Sequence, residues 1–308
     1  MNEIYQKTLS EKVSFKGIGL HSGKSASINL LPAREDEGIV FKRTDLNKNN
    51  IIKANFNNVS SAKLCTTLEN DYGIKVSTVE HLLAAFYIIG IDNAIVEIDN
   101  EEIPIMDGSS KDFIDSLKKV HLTTQDKKRR YLKISKRTEL VDGKRKISIE
   151  PNEESLQVDF QLNYENQIIG NQKNVIDFQK DNLDEVTNSR TFCLFEDIEK
   201  IKKFGLAKGG SLDNAIVVDN DKVLNKGGLR NEKEFVNHKI LDLAGDFILS
   251  GYRIIGKVSC YQGGHELTNM FLRKLFNTKS TFQLINQNKF VDSKKFRSKD
   301  LEKIAVNA

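Results

Sequence analysis

The sequence predicts an α+β protein built in two halves, and three observations carry that prediction. Stretches of period-two hydrophobicity, the mark of half-buried strands, are interspersed with stretches of helical period in both halves. A chain of 308 residues is long for one compact domain, against a soft prior of about 150 residues per domain. The polar run TTQDKKRR, residues 123–130, is the best candidate linker and divides a first domain, 1–126, from a second, 127–308.

The elements follow in order. Residues 11–31 alternate in strand fashion around GIGLHSGK, where Gly17, Gly19 and Gly23 supply turn positions. STVEHLLAAFYIIG reads as a helix, begun by an S-x-x-E capping box of Ser77 and Glu80 and stopped by Gly90. NAIVEI is a strand, EIPIMDGSS a loop and SSKDFIDSLKKV a second amphipathic helix. Past the linker, RYLKIS, KISIEP and LQVDFQLNY are successive strands, and RTFCLFEDIEKIKKFG turns from strand end into helix. AIVVD and KVLN form a strand pair joined at Asn220 and Asp221. NHKILDLAGDF is a helix, RIIGKVSCY a strand and HELTNMFLRKLF the closing helix.

Composition excludes several classes. With 39% apolar and 29% charged residues and three prolines, the chain can bury a sizeable core and is not a disordered polymer. Cys65, Cys193 and Cys260 are odd in number and lack CxxC spacing, which argues against a disulfide framework or a cysteine-built zinc site and for a reducing cytoplasm. The N-terminus lacks the apolar core of a signal peptide, and LLAAFYIIGI is only about half a membrane span. No bilayer crossing is expected; a transient contact with a membrane surface stays open. The net charge of +4 is too slight to imply nucleic acid.

Four motifs carry the chemistry. GIGLHSGKS imitates a phosphate-binding loop, but G-x-x-x-x-G-K-[ST] needs glycine at Ile18, and the following ASINLL alternates like a strand. No ATP site is expected there, and His21 is read as structural. In NHKILDLAGDF, with His238 at zero on a helical wheel, Asp242 falls near ~40°, Asp246 near ~80° and Lys239 near ~100°. The rest of that circumference is apolar, so the charged stripe is either an opening to water or a site. The H-x-x-x-D spacing puts His238 and Asp242 one turn apart on one face, as two ligands of one metal require; a surface salt bridge has the same spacing. In STVEHLL, Glu80 and His81 are either a capping pair or the base and third ligand of a metal hydrolase, the division of labour of H-E-x-x-H sites. In QGGHELTN, His265 is either an exposed turn histidine or a general acid. A helix N-terminus disfavours an imidazolium, so the acid reading needs a carboxylate beside it, and Asp246 is available.

Taken together, STVEHLLAAF, EIPIMDGSS, SRTFC, GLAKGGSLDNAIVVD, HKILDLAGD and GGHELTN, in this order and at these separations, resemble the UDP-3-O-acyl-N-acetylglucosamine deacetylases, the zinc amidases of lipid A synthesis in Gram-negative bacteria. The similarity runs from GIGLHSGK to the last helix. It implies two domains of similar topology, each with helices layered on mostly antiparallel sheets, and an active site between them. It implies Zn2+ on His81, His238 and Asp242, Glu80 as general base, and His265 as general acid oriented by Asp246. Thr191 would donate a hydroxyl to the oxyanion, and Lys239 would contact substrate. An insert near 192–224 would shape an apolar passage for the acyl chain, with Phe192, Ile198, Ala207 and Leu20 as wall residues. Phe160 would stack on the uracil; Gln262 replaces a basic residue that other members place near the diphosphate. The implied protein is a cytoplasmic monomer acting on a small molecule, UDP-3-O-acyl-N-acetylglucosamine, and releasing acetate, with no nucleic-acid partner. Two rivals remain: a zinc amidase for another N-acyl sugar or peptide, and an RNA-binding protein using KKRRYLKISKR and GKRK, although those runs lack interleaved aromatics.

Overall fold

A computed structural model describes residues 4–278 and 280–286. The first half opens with β1 (Tyr5–Leu9), the hairpin of β2 (Val13–Ile18) and β3 (Ser25–Pro32), then β4 (Ile39–Arg43) and β5 (Ile51–Lys53). Short strands β6 (Val59–Ser61), β7 (Thr67–Glu69) and β8 (Lys75–Val76) lead into helix α1 (Glu80–Ile89), strand β9 (Ala94–Ile98) and helix α2 (Lys111–Leu117). Five strands form one sheet in the order β2, β3, β9, β4, β5, in which only β4 and β9 run parallel. On β3 the alternation turns Ala26, Ile28 and Leu30 inward, as period two requires.

The expected linker is a strand. β10 (Leu122–Lys128) pairs antiparallel with β1, and Arg129 just beyond it is buried with its guanidinium on Asp92, at 2.7 to 2.9 Å. The run reads as polar because no residue of β10 is fully buried, whereas β1 buries Gln6, Thr8 and Leu9. Of the run's basic residues, Arg129 is taken up by the fold.

The second half contains β11 (Arg130–Ile134), β12 (Thr138–Asp142), β13 (Arg145–Glu150), β14 (Leu156–Asn163), β15 (Asn171–Asp177), helix α3 (Asp184–Thr187), β16 (Phe192–Leu194), helix α4 (Phe195–Lys203), β17 (Ile216–Asp219), β18 (Lys222–Val223), helix α5 (Glu234–Phe247), β19 (Arg253–Tyr261), helix α6 (His265–Asn277) and β20 (Phe282–Asn286). β19 is the hub of the larger sheet. It lies parallel to β11 over Arg253–Ile255 and parallel to β14 from Gly256 onward, with β13 antiparallel on its other side. Most strand pairs are antiparallel and the helices pack on the sheets, so the α+β class holds. One continuous apolar cluster includes Leu82 and Phe86 of the first half and Ile240, Val258 and Phe271 of the second.

Helices α1 and α5 meet at the centre of that cluster. α1 is apolar almost all round, and Leu82 through Tyr87 are all buried. The capping box at its start does not form: Ser77 hydrogen-bonds the Glu101 carbonyl, and Glu80 is drawn instead to the backbone of Thr66. A helix start enclosed on every side leaves its carboxylate free for other partners. At the other end Gly90, with φ at 90°, closes the helix by donating its N–H to the Phe86 carbonyl. Arg253 of β19 adds donors to the carbonyls of Phe86, Tyr87 and Ile91, so the second half caps a helix of the first.

The crossing of the two helices requires Gly245. A Cβ there would lie 2.1 Å from the Glu80 carbonyl oxygen, a backbone atom that cannot swing away. Gly245→Ala is therefore expected to force α1 and α5 apart and to cost about 1–3 kcal/mol of stability, the usual cost of overpacking a core. A parallel loss of metal content is expected, since both helices carry residues of the site below; thermal melting and metal analysis of the purified variant check both.

Candidate metal centre and catalytic site

α5 brings the charged stripe inside. All of its residues except Lys239 are buried, with His238 1%, Asp242 3% and Asp246 3% exposed. The stripe is thus not an opening to bulk water, and unpaired charge at such depth would be costly. Its partners come from the start of α1, where Glu80 and His81 are 3% and 4% exposed.

Among the described residues, His81, His238 and Asp242 bring one donor atom each to within 4.8 Å of one another. Asp242 Oδ1 lies 3.5 Å from His81 Nε2 and 3.4 Å from His238 Nε2. Four ligands set tetrahedrally at about 2.1 Å from a zinc ion stand roughly 3.4 Å apart, so the spacing fits such an ion. The chemistry of the atoms fits too. Asp242 Oδ1 is buried and accepts no hydrogen bond, while Oδ2 of the same carboxylate accepts from Lys239 Nζ at 2.9 Å. His238 Nδ1 lies 3.1 Å from the Ser189 carbonyl, which favours a proton on Nδ1 and turns the lone pair of Nε2 toward the group. Burial lowers the His238 pKa to about 3, aided by His81 and Lys239 against the pull of Asp242, which keeps the ring in the neutral form that binds metals. For Asp242, burial pushes upward, but the surrounding His238, Lys239, His265 and His81 together hold the carboxyl well below its ordinary range.

Beside these atoms lies a second set. Glu80 Oε1 is 3.7 Å from His265 Nε2, and Oε2 accepts the Thr66 N–H at 3.0 Å. Burial raises the Glu80 pKa despite the two nearby imidazoles. His265 is the first residue of α6; its Nδ1 lies 2.9 Å from Asp246 Oδ2. Burial and the helix start both disfavour a charged ring here, yet Asp246, Glu80 and Asp242 outweigh them and raise the His265 pKa to about 10. The arrangement offers a base and a cationic acid on one side of a candidate metal.

The remaining expected residues lie at differing distances from this centre. Thr191 is half-buried just before β16, its N–H on the Gly108 carbonyl and its carbonyl accepting the Ile216 N–H. Phe192 follows, with its ring 4.9 Å from that of Phe235 and 6.3 Å from that of His238. Lys239, expected to contact substrate or intermediate near the metal, donates to Asp242 Oδ2 at 2.9 Å, with its ammonium 5.5 Å from the centre of the Phe192 ring. Ile198 is half-buried on α4, no residue of which is fully buried. Ala207 donates its N–H to His21 Nδ1, and Leu20 accepts from the Gly209 N–H, so the 204–210 loop rests on the 18–23 turn. His21 accepts the Ala207 N–H on Nδ1, while its Nε2 is buried without a hydrogen-bond partner. Phe160 differs: it points inward from β14, 1% exposed, and sits where a Cβ on Gly263 would touch it at 3.1 Å. Gln262 adopts a φ of 54° and donates its N–H to the Gln161 carbonyl.

Sequence reasoning missed Thr66, Ser189 and Ser110. Ser189 fixes His238, and Ser110 donates its hydroxyl to the His81 carbonyl at 2.7 Å. Small hydroxyl residues of this kind carry no spacing signal, because they act through contacts between distant segments.

Comparison with known proteins agrees with this geometry. The family model of UDP-3-O-acyl N-acetylglycosamine deacetylase matches residues 6–277. Among curated relatives, the UDP-3-O-acyl-N-acetylglucosamine deacetylase of Shewanella frigidimarina is 40% identical over 292 residues, 94% of this chain and 95% of the relative. The enzyme of the same name from Pseudoalteromonas translucida is 40% identical over 283 residues, covering 91% and 93%. That of Actinobacillus pleuropneumoniae is 38% identical over 287 residues, covering 92% and 93%.

Proposed function

This chain belongs to the UDP-3-O-acyl N-acetylglycosamine deacetylase family, and from that premise we propose that it is a zinc-dependent hydrolase removing the acetyl group of UDP-3-O-acyl-N-acetylglucosamine in lipid A synthesis. Acetate and UDP-3-O-acyl-glucosamine are the products. One observation carries the reading: two imidazole nitrogens and an unpartnered carboxylate oxygen, drawn from both halves of the chain, face one another inside the protein.

In this reading His81, His238 and Asp242 hold the ion. A bound Zn2+ would supply Lewis acidity to the acetamide carbonyl and lower the pKa of water to about 7. Glu80, with a pKa already raised by burial, removes the proton of the attacking water. The Thr191 hydroxyl donates to the developing oxyanion. His265, held as the cation by Asp246, gives its proton to the sugar nitrogen as the C–N bond breaks. Each proton transfer of this kind is typically worth about 10² to 10⁴ in rate. Lys239 steadies Asp242 and places positive charge beside the reacting carbonyl.

The half-buried walls formed by Phe192, Ile198, Ala207 and Leu20 are proposed to take the acyl chain. No helix of the described residues is long and apolar enough to cross a membrane; a cytoplasmic, monomeric enzyme reaching its substrate from water, with at most a passing contact at a membrane surface, is the proposed setting. The test is release of acetate from UDP-3-O-acyl-N-acetylglucosamine by the purified, zinc-loaded protein. Activity is expected to disappear on chelation and to return with zinc. Equal turnover of N-acetylglucosamine lacking the nucleotide and acyl chain would overturn the substrate assignment.

A further inference from the structure

We propose that Thr66 is a positioning residue that ties the base side of the site to the acid side. The proposal rests on the reading of Glu80 as base and of His265 with Asp246 as acid pair. Thr66 is 2% exposed and lies just before β7, in a segment without any recognisable motif. Its backbone N–H donates to Glu80 Oε2 at 3.0 Å, and its hydroxyl donates to Asp246 Oδ1 at 2.7 Å. The second bond joins residues 180 positions apart and runs from the first half of the chain to α5.

The geometry gives each contact a task. Asp246 offers Oδ2 to His265 Nδ1 at 2.9 Å. With Thr66 on Oδ1 and His265 on Oδ2, both carboxylate oxygens are occupied and the group cannot turn about its Cβ–Cγ bond without breaking one of them. The His265 ring is thereby held with Nε2 toward Glu80, 3.7 Å away, and toward Asp242, 3.8 Å away. Its side-chain and N–H bonds go to Asp246 and Glu80, neither of which is among the three proposed ligands, so its proposed role runs through those two carboxylates. Its main-chain contact survives any side-chain change except proline, so substitution isolates the Asp246 contact. Partners of this outer kind typically cost about 10- to 100-fold when removed.

The experiment compares zinc-loaded Thr66→Val, Thr66→Ser, Thr66→Ala, Asp246→Asn and the Thr66→Val/Asp246→Asn double variant. Thr66→Val is expected to lower kcat about 10- to 100-fold with KM within about twofold and zinc content unchanged, as loss of an interaction needed in the transition state demands. Thr66→Ser should recover most of the rate. The double variant should be no slower than Asp246→Asn alone, because the two groups act as one unit. A readout independent of turnover is the downfield proton resonance of His265 Nδ1–H, assigned by its loss in Asp246→Asn. It should shift or broaden in Thr66→Val and persist in Thr66→Ser. If Thr66→Val does not fold, Ser against Ala isolates the hydroxyl, since both lack the methyl group. Full additivity in the double variant, or a wild-type kcat in Thr66→Val while Asp246→Asn is impaired, overturns the role of Thr66. A wild-type kcat in Asp246→Asn would instead overturn the reading of the acid pair on which it rests.

Discussion

His81→Ala is expected to purify without most of its zinc and with almost no deacetylase activity. The residue contributes one of three donor atoms, and it is the only one of the three from the first half of the chain. Removing an outer-shell partner of a ligand already costs about 10- to 100-fold in metal affinity, so removal of a ligand itself should exceed that range. His238 and Asp242 would remain one turn apart on α5, enough to attract a cation loosely and too few to close a tetrahedron. The loss should extend to stability. An ion bound only by the folded chain stabilises it by about 2.7 kcal/mol at a hundred times its Kd, and here the bound ion also bridges α1 and α5. Chelation should therefore lower the melting temperature of the native protein and leave that of His81→Ala almost unmoved. Metal analysis, an acetate-release assay and paired melting curves with and without chelator check the three parts. Retention of stoichiometric zinc by His81→Ala would remove the central assignment.

The contrast between α5 and α1 shows what could be read in the chain beforehand. On α5 the spacing of His238, Asp242 and Asp246 fixed a common face, because helical periodicity acts within a single segment. The same reasoning could not bring His81 to that face, since the two helices meet through Gly245, whose missing side chain is informative only once Glu80 is seen against it. Residue chemistry offered His81 as a third ligand beside a capping reading, and the resemblance favoured the ligand. The capping box at Ser77 was misread for a related reason: local pattern describes a helix start open to water, whereas this one is enclosed and Glu80 has a distant partner in Thr66. The polar linker likewise became β10, since pairing with β1, more than a hundred positions earlier, leaves no trace in local composition. Phe160, proposed by resemblance for a nucleobase, lies on the inward phase of β14.

Glu80→Ala is expected to behave differently from its neighbour's substitution, keeping its zinc while turnover collapses by about 10² to 10⁴, the usual contribution of a positioned base. The geometry gives the reason. Glu80 and His81 are adjacent in sequence, yet the Glu80 carboxylate is outside the group of three donor atoms and is held by the Thr66 N–H on one side and faces His265 on the other. Its removal leaves Asp242 Oδ1, His81 Nε2 and His238 Nε2 untouched. Folding should not suffer greatly, because burial already raises the pKa of Glu80, which means that the folded protein disfavours its charged form and loses that strain when the carboxylate is gone. Glu80→Gln refines the test: it keeps the acceptor for Thr66 and the shape of the side chain but cannot take up a proton at neutral pH. Both variants should therefore melt close to the native protein, bind stoichiometric zinc and fail at the same step. If Glu80→Ala instead loses zinc as completely as His81→Ala, the carboxylate is a ligand and the attacking water needs another base. If Glu80→Gln turns over at the native rate, proton removal does not pass through this side chain at all.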